Sequence, residues 1–542
     1  MINKPAKIII SILAALLVCA IVVFFFNKYV PVNMDELIHY YPVICRYYPN
    51  NNYNIFRESC GLYDLKLSFW DKALPLRSFP YSGSWPVAYF LPIFFIWKSY
   101  LSIRLLGVGF LLAQALIITK YFRLKSFWPV FLGIILFFPY SYQLIADTGP
   151  VGFQITALLL ILLLVKVWLE KRWVLAPILI AILLFLSIWT KLVFLWYLPS
   201  IALIFLFNLL EKENRKIFAK NIRFFIWSAV LAIVVFAIPM FFLFTTTSAL
   251  DGSYPYLEML RNAGSYSLKQ LLNFKFITLL PIYQSLTNPF EATQRDFAVY
   301  KDDIFSWIYN GWSYIVLPLI GFILLTLYKK WGELKYLVLY YFCFIITLFF
   351  IFRSKESWAF HHVVLVFPFL ILTLVEVFKS FGINLKKITG NISKLLLVCF
   401  PVIAIFLALN LYMFYRLPQE KVQSSNDISR YRVNQILEND KLANNYFYVV
   451  VNWGYYYIQG LYGPKNQSVL YIEPLDSEFK VNILKDFEAR YNRKLLFVFN
   501  GQQGFSSDAL KNLNLKECKL TKGLVWRIML ENDGDPNNIC LK

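Results

Sequence analysis

Runs of 18 or more predominantly apolar residues recur from the N-terminus to about residue 415, and no other feature constrains the fold of this chain as strongly. A bilayer interior offers no water to backbone N–H and C=O groups, so a run of that length must close its hydrogen bonds within itself as a helix. The runs are Ile8–Phe26 and then 104–119, 127–145, 150–168, 173–189, 192–210, 224–246, 311–328, 335–352, 360–378 and 395–415. With 542 residues, 59% of them hydrophobic and 16% charged, the chain reads as a polytopic membrane protein. Lys4 and Lys7 precede the first run and no small-x-small cleavage site follows it. It is read as an uncleaved span with a cytoplasmic N-terminus.

The net charge of +21 raises the question of nucleic acid, and the location of the charge answers it. If the spans alternate, the inner loops carry Lys120/Arg123/Lys125, Lys166/Lys171/Arg172, Lys212/Arg215/Lys216/Lys220/Arg223, Lys329/Lys330/Lys335 and Lys379/Lys386/Lys387/Lys394. With Lys4 and Lys7, and after subtracting Glu170, Glu211, Glu213, Glu333 and Glu376, about +15 of the charge falls on one side. That is a topology signal, and it leaves nucleic-acid binding without support. The same alternation decides a doubtful stretch. Trp85–Ile103 is apolar enough to span, but counting it would turn every basic loop outward. Trp85–Leu101, with Pro86, Pro92, Lys98 and many aromatics, is therefore placed as an interfacial or re-entrant segment. Eleven spans result, with the C-terminus outside.

Two outer loops are long, 27–103 and 247–310, and three are short. From about 416 the composition turns mixed polar and strand-like, with β-branched or aromatic runs at Tyr446–Val451, Val469–Ile472, Leu495–Phe499 and Leu524–Leu530. Phe479–Tyr491 has helical periodicity. The expected organisation is an all-α membrane domain over 1–415 and a small extracytoplasmic α/β domain over 416–542. Cys19, Cys343 and Cys399 lie in spans; Cys45 with Cys60, and Cys518 with Cys540, fall outside, where an oxidising compartment permits two disulfides. No metal-ligand spacing or cofactor motif stands out, so neither a metal nor a cofactor is expected.

Charged and imidazole side chains gather on the outer face. Asp35 and Glu36 sit side by side just past the first span, with His39 close behind. Asp147 lies in the short second outer loop and Lys191 at the outer end of a span. Arg353, Lys355, His361 and His362 lie in the fifth, so all three histidines of the chain share this face. One carboxylate motif facing several cations at a membrane lip suits glycosyl transfer from a polyprenyl-phosphate sugar. A hydrolase needs a second carboxyl group to protonate a poor leaving group. A lipid phosphate leaves as a stable anion, so one base for the acceptor and cations for the departing phosphate suffice. Direct displacement inverts the anomeric centre.

The order of these motifs resembles the GT-C superfamily of integral-membrane glycosyltransferases, which includes aminoarabinose and protein O-mannosyl transferases. Met34-Asp35-Glu36 with His39 resembles the MDExxH of dolichyl-phosphate-glucose glucosyltransferases. Asp147-Thr148-Gly149 is similar to an acid-x-Gly loop of those enzymes, and Ser187-Ile188-Trp189-Thr190-Lys191 to a TK at the outer end of a span in bacterial members. Phe360-His361-His362 with Pro368 resembles a segment before a late span. The resemblance covers roughly residues 1–415. It implies Asp35 as general base, with Glu36 or Asp147 positioning the acceptor or tuning Asp35. It makes Lys191, Arg353, Lys355, His361 and His362 candidates for the lipid phosphate; Arg104 is a further candidate or an interface anchor. The implied partners are a polyprenyl-phosphate sugar, a lipid, glycan or protein acceptor, and the bilayer. The implied location is a bacterial inner membrane, with the endoplasmic reticulum as alternative. A transporter or flippase, an O-antigen ligase-type protein and a non-enzymatic scaffold remain the rival readings.

Overall fold

The structure is a computed structural model. It describes residues 13–24, 39–40, 43, 52–53, 63–66, 73–79, 82–98, 101–136, 138–146, 150–247, 254–262, 321–323, 325–326, 331–353, 360–382, 446–450, 469–471, 489, 494–500, 515–518 and 526–531.

Among the described residues of 1–415, the long apolar runs are helical, because a helix satisfies its own backbone in hydrocarbon. Helix α1 covers Leu13–Phe24. After it come α2 (Trp85–Ile96), α3 (Leu101–Tyr121), α4 (Trp128–Leu136), α5 (Phe138–Ala146), α6 (Val151–Lys171) and α7 (Leu175–Thr190). A 3₁₀ segment, Leu192–Tyr197, leads into α8 (Leu198–Leu210), then α9 (Lys212–Lys220), α10 (Ile222–Thr245) and α11 (Pro255–Asn262). The series ends with α12 (Trp331–Arg353), the short α13 (Phe360–Val363) and α14 (Phe367–Gly382). Five described helical segments are long and apolar enough to cross a bilayer: Leu101–Tyr121, Val151–Lys171, Leu192–Leu210, Ile222–Thr245 and Trp331–Ile351. At ~1.5 Å per residue a 21-residue helix reaches about 31 Å, the thickness of a hydrocarbon core. The expected count of eleven includes 311–328 and 395–415, which lie largely or wholly outside the described residues. The stretch 127–145, read as one span, holds two nine-residue helices, α4 and α5.

The interfacial segment is a helix of 12 residues, about 18 Å long and so too short to span. It buries Pro86, Phe90 and Phe94. One continuous core runs through the bundle, with Val108, Leu111 and Ala115 of α3, Leu158, Ile161 and Leu162 of α6, and Tyr340 and Cys343 of α12. Gly107 shows how closely α3 and α5 approach, for a Cβ there would lie 2.2 Å from the Leu144 carbonyl oxygen.

Helix ends opposite the one bearing Lys191 are tied together by polar contacts. Arg123 pairs with Glu170 at 2.5 Å, Arg172 donates to Asn221 at 3.0 Å, and Glu211 accepts from Lys335 at 3.2 Å and from the Tyr336 hydroxyl. Glu376, buried on α14, pairs with Lys379 at 3.4 Å.

The described C-terminal residues are strands: β5 (Tyr446–Val450), β6 (Val469–Tyr471), β7 (Lys494–Asn500), β8 (Leu515–Cys518) and β9 (Trp526–Glu531). They form one mixed sheet, parallel at β6-β5-β7 and antiparallel at β7-β9-β8, and β1 (Asn52–Tyr53) of the first outer loop adds to its β6 edge. Residues 52–53 thus join a sheet whose other strands lie some 400 residues later. The helix expected at Phe479–Tyr491 lies almost entirely outside the described residues. A second, antiparallel sheet, β2 (Tyr63–Lys66), β3 (Ala73–Phe79) and β4 (Ser82–Gly83), leads directly into α2. Cys19 and Cys343 are buried free thiols; the side chains of Cys45, Cys60, Cys399, Cys518 and Cys540 lie outside the description.

Candidate active site

The helix α7 stops at Thr190, and Lys191 takes an extended conformation (φ −164°, ψ 132°) before the chain re-enters a 3₁₀ turn. Lysine at a span end usually reaches toward headgroup water along its flexible stem. Lys191 does not, being only 5% exposed. A buried ammonium is costly to desolvate and persists only where the surroundings compensate it.

Two imidazoles share its surroundings. His39 is 1% exposed and His362 8%, and the Lys191 charge acts on both rings. His39 lies outside the spans, in a turn where Val43 N–H donates to the Tyr40 carbonyl at 3.0 Å. Burial first, and the Lys191 charge second, push its titration well below the ordinary histidine value. At neutral pH its ring is uncharged, able to donate one hydrogen bond and accept another but not to act as a counter-ion. The His362 ring meets Trp196 edge-on, with centroids 5.8 Å apart.

An aromatic chain connects His39 to Lys191. Tyr40, next to His39, lies against Phe90 of α2 at 4.7 Å between centroids, and its hydroxyl is 3.2 Å from that of Tyr89. Tyr89 stacks on Phe153 of α6 at 5.2 Å, and Trp85 meets both rings edge-on. Trp85 then tilts against Trp189, two residues before Lys191, at 6.1 Å. The interfacial helix is thus the part that brings the first outer loop and the end of α7 together.

Of the nine residues proposed from sequence, the structure brings together His39, Lys191 and His362. Arg353 is exposed at the end of α12 and makes no described contact with those three. His361 is described in its backbone within α13 but not in its side chain. Asp35, Glu36, Asp147 and Lys355 lie outside the described residues. Arg104, read as a further phosphate candidate or an interface anchor, is 0% exposed and heads the fully buried side chains by volume among the described residues. Among the described residues, no group of three or more His, Cys, Asp or Glu side chains is placed to hold a metal ion.

Sequence reasoning missed the supporting residues Trp85, Tyr89, Gln154 and Tyr256. Gln154 carried a readable signal as a lone amide inside an apolar run. Its Nε2 donates to the Lys191 carbonyl at 2.9 Å.

The arrangement of apolar helices is similar in fold to solved membrane-protein structures. One such structure is ArnT from Cupriavidus metallidurans bound to undecaprenyl phosphate, with a TM-score of 0.50 and 10% identity over 97% of this chain and 98% of that one. The same protein in its apo state gives 0.48 and 12% over the same shares. At such identities the likeness is one of fold. No protein-family model matches the sequence, and no curated protein matches it.

Proposed function

We propose that this protein is an inverting glycosyltransferase that moves a sugar from a polyprenyl-phosphate donor to an acceptor on the extracytoplasmic face of the membrane. The observation that carries the reading is the buried Lys191 ammonium set beside two imidazoles at a break between helices. A fixed cation in a water-poor site is what a departing lipid phosphate requires, since charge developing there is stabilised without solvent reorganisation. The ArnT of similar fold was crystallised with undecaprenyl phosphate, and this supports a donor of that chemical class.

In this reading Asp35 takes the proton of the acceptor hydroxyl or amine as that oxygen or nitrogen attacks the anomeric carbon. The bond to the phosphate oxygen breaks on the opposite face, and the polyprenyl phosphate leaves as an anion. Glu36 or Asp147 positions the acceptor or tunes Asp35. Lys191 compensates the phosphate charge, His39 supplies a neutral hydrogen-bonding ring, and His362 a second imidazole beside it. Arg353, Lys355 and His361 belong to the loop that leads into His362 and are assigned to the donor headgroup. The 416–542 segment is assigned no chemistry, and the reaction needs no cofactor.

The test is release of polyprenyl phosphate by protein in lipid nanodiscs, given a panel of polyprenyl-phosphate sugars and an acceptor extract. Asp35→Asn is expected to lower kcat by ~10²–10⁴, the usual range for loss of a positioned base, with donor binding retained. Lys191→Met is expected to weaken donor binding as well as turnover. Equal release by wild type and Asp35→Asn would remove Asp35 as the base. Passage of intact donor across the bilayer without release would favour a flippase.

A further inference from the structure

Nothing local breaks the helix at Lys191. From residue 178 to residue 198 the chain contains neither glycine nor proline, and the residues about the break are Ser187-Ile188-Trp189-Thr190-Lys191-Leu192-Val193. A helix that ends here leaves its last carbonyls without intrahelical donors. In an apolar setting each such carbonyl must find another donor or incur a penalty.

For the Trp189 and Thr190 carbonyls the donors come from distant elements. The Ser82 hydroxyl of β4, 108 residues away in sequence, donates to the Thr190 carbonyl at 2.8 Å. The Tyr256 hydroxyl of α11 donates to the Trp189 carbonyl at 3.1 Å. Gln154 Nε2 of α6 adds a second bond at 2.9 Å to the Lys191 carbonyl, which also accepts from Phe194 N–H at 3.2 Å, and approaches at 3.5 Å the Ser187 carbonyl, which accepts from Lys191 N–H at 3.1 Å. Ser82 and Tyr256 are both buried. Gly83 lets β4 come this close: a Cβ there would lie 1.9 Å from the Trp189 carbonyl oxygen and 2.6 Å from both the Trp189 ring and the Tyr256 hydroxyl. Any larger residue would push apart the strand, the break and the tyrosine.

We propose that Ser82, Gly83 and Tyr256 are positioning residues, which hold the broken end of α7 so that Lys191 stays in the buried surroundings it shares with His39 and His362. Its functional meaning rests on Lys191 serving the donor phosphate as proposed above; its test does not use the donor.

The chain has only three histidines, so ring-¹⁵N-histidine labelling of the full-length protein in lipid bilayers gives three imidazole signals, with His39 assigned by His39→Asn. Lys191→Met first defines how far the His39 and His362 signals move when the ammonium is removed. Ser82→Ala and Tyr256→Phe each delete one hydroxyl and leave the packing volume nearly unchanged. Both are expected to shift the two imidazole signals toward their Lys191→Met positions, and the double variant further. Gly83→Ala is expected to give the largest displacement. His39 and His362 signals at wild-type positions in both hydroxyl variants would overturn the proposal, whatever Gly83→Ala does. So would a Lys191→Met variant that leaves both rings unmoved. Polyprenyl-phosphate binding to the same samples is read separately, so its failure would strike the transferase reading and leave the positioning role standing.

Discussion

At the scale of single residues, burial overrules the habits of side-chain type. Lysine and arginine at the lips of spans ordinarily reach for water, yet Lys191 and Arg104 are enclosed. His39 follows the same rule with the opposite charge outcome, since burial and the neighbouring ammonium keep its ring neutral. The sign of its effect on stability follows from linkage. The unfolded chain takes up a proton near the ordinary value of 6.5, while the folded ring resists until the pH is well below it. The contribution of His39 is therefore complete above that value and is lost as the pH falls through the window beneath it. Thermal unfolding in nanodiscs between pH 7 and pH 5 should show wild type losing stability more steeply than His39→Asn, by at most about 1.4 kcal/mol per pH unit. Parallel profiles for the two proteins would mean that the ring is not enclosed as described.

At the scale of elements, the interfacial helix explains why a twelve-residue apolar segment exists between two spans. Its length forbids crossing, and its aromatic face makes contacts that a lipid-facing helix would not. Tyr89 stands at the centre, stacked on Phe153 and edge-on to Tyr40, Trp85 and Phe110. Tyr89 is half-buried, so Tyr89→Ala should cost about 1–3 kcal/mol, less than the ~3–5 kcal/mol for a fully buried aromatic. It should also speed proteolysis in the first outer loop, because the helix loses its tie to α6. Tyr89→Phe should keep the packing and lose only the hydroxyl contact with Tyr40. Similar melting temperatures and digestion rates for wild type and Tyr89→Ala would show that the helix is held elsewhere. The helix of this element was legible in the sequence as an apolar stretch, and its interfacial placement is inferred from the charge of the loops, since spanning would invert every basic one. Its aromatic partners were not, since Phe153 and Trp189 look like any other apolar residue of a span.

At the scale of the whole molecule, charge and packing separate the two ends of the bundle. Arg123, Glu170, Arg172, Glu211, Lys335 and Lys379 meet in ion pairs and hydrogen bonds at one end, while Lys191 and the two buried histidines occupy the other. The excess of lysine and arginine at the first end is the ground for the proposed orientation, with that end in the cytoplasm. In a cysteine-free background, Lys216→Cys of α9 should react with a membrane-impermeant maleimide only after the membrane is opened. Tyr254→Cys, exposed just before α11, should react in intact cells. The reverse pattern would invert the proposed orientation and move the site to the cytoplasmic face.

What the sequence by itself determined is what depends on composition and period: a chain of apolar, membrane-length helices and strands near the C-terminus. These follow from local rules, because hydrocarbon forces helices and alternating apolar residues favour strands whatever surrounds them. The order of Asp35, His39, Asp147, Lys191 and His362 along the chain also pointed to the fold. Only the tertiary structure decided that α7 breaks at Lys191, where no glycine or proline lies nearby, and that Ser82 and Tyr256 satisfy the exposed carbonyls. It alone closed an aromatic chain from Tyr40 to Trp189 and so placed residue 39 beside residue 191. The physical reason is common to both: a break and a buried charge are each unfavourable locally, and only contacts contributed by distant parts of the chain offset them.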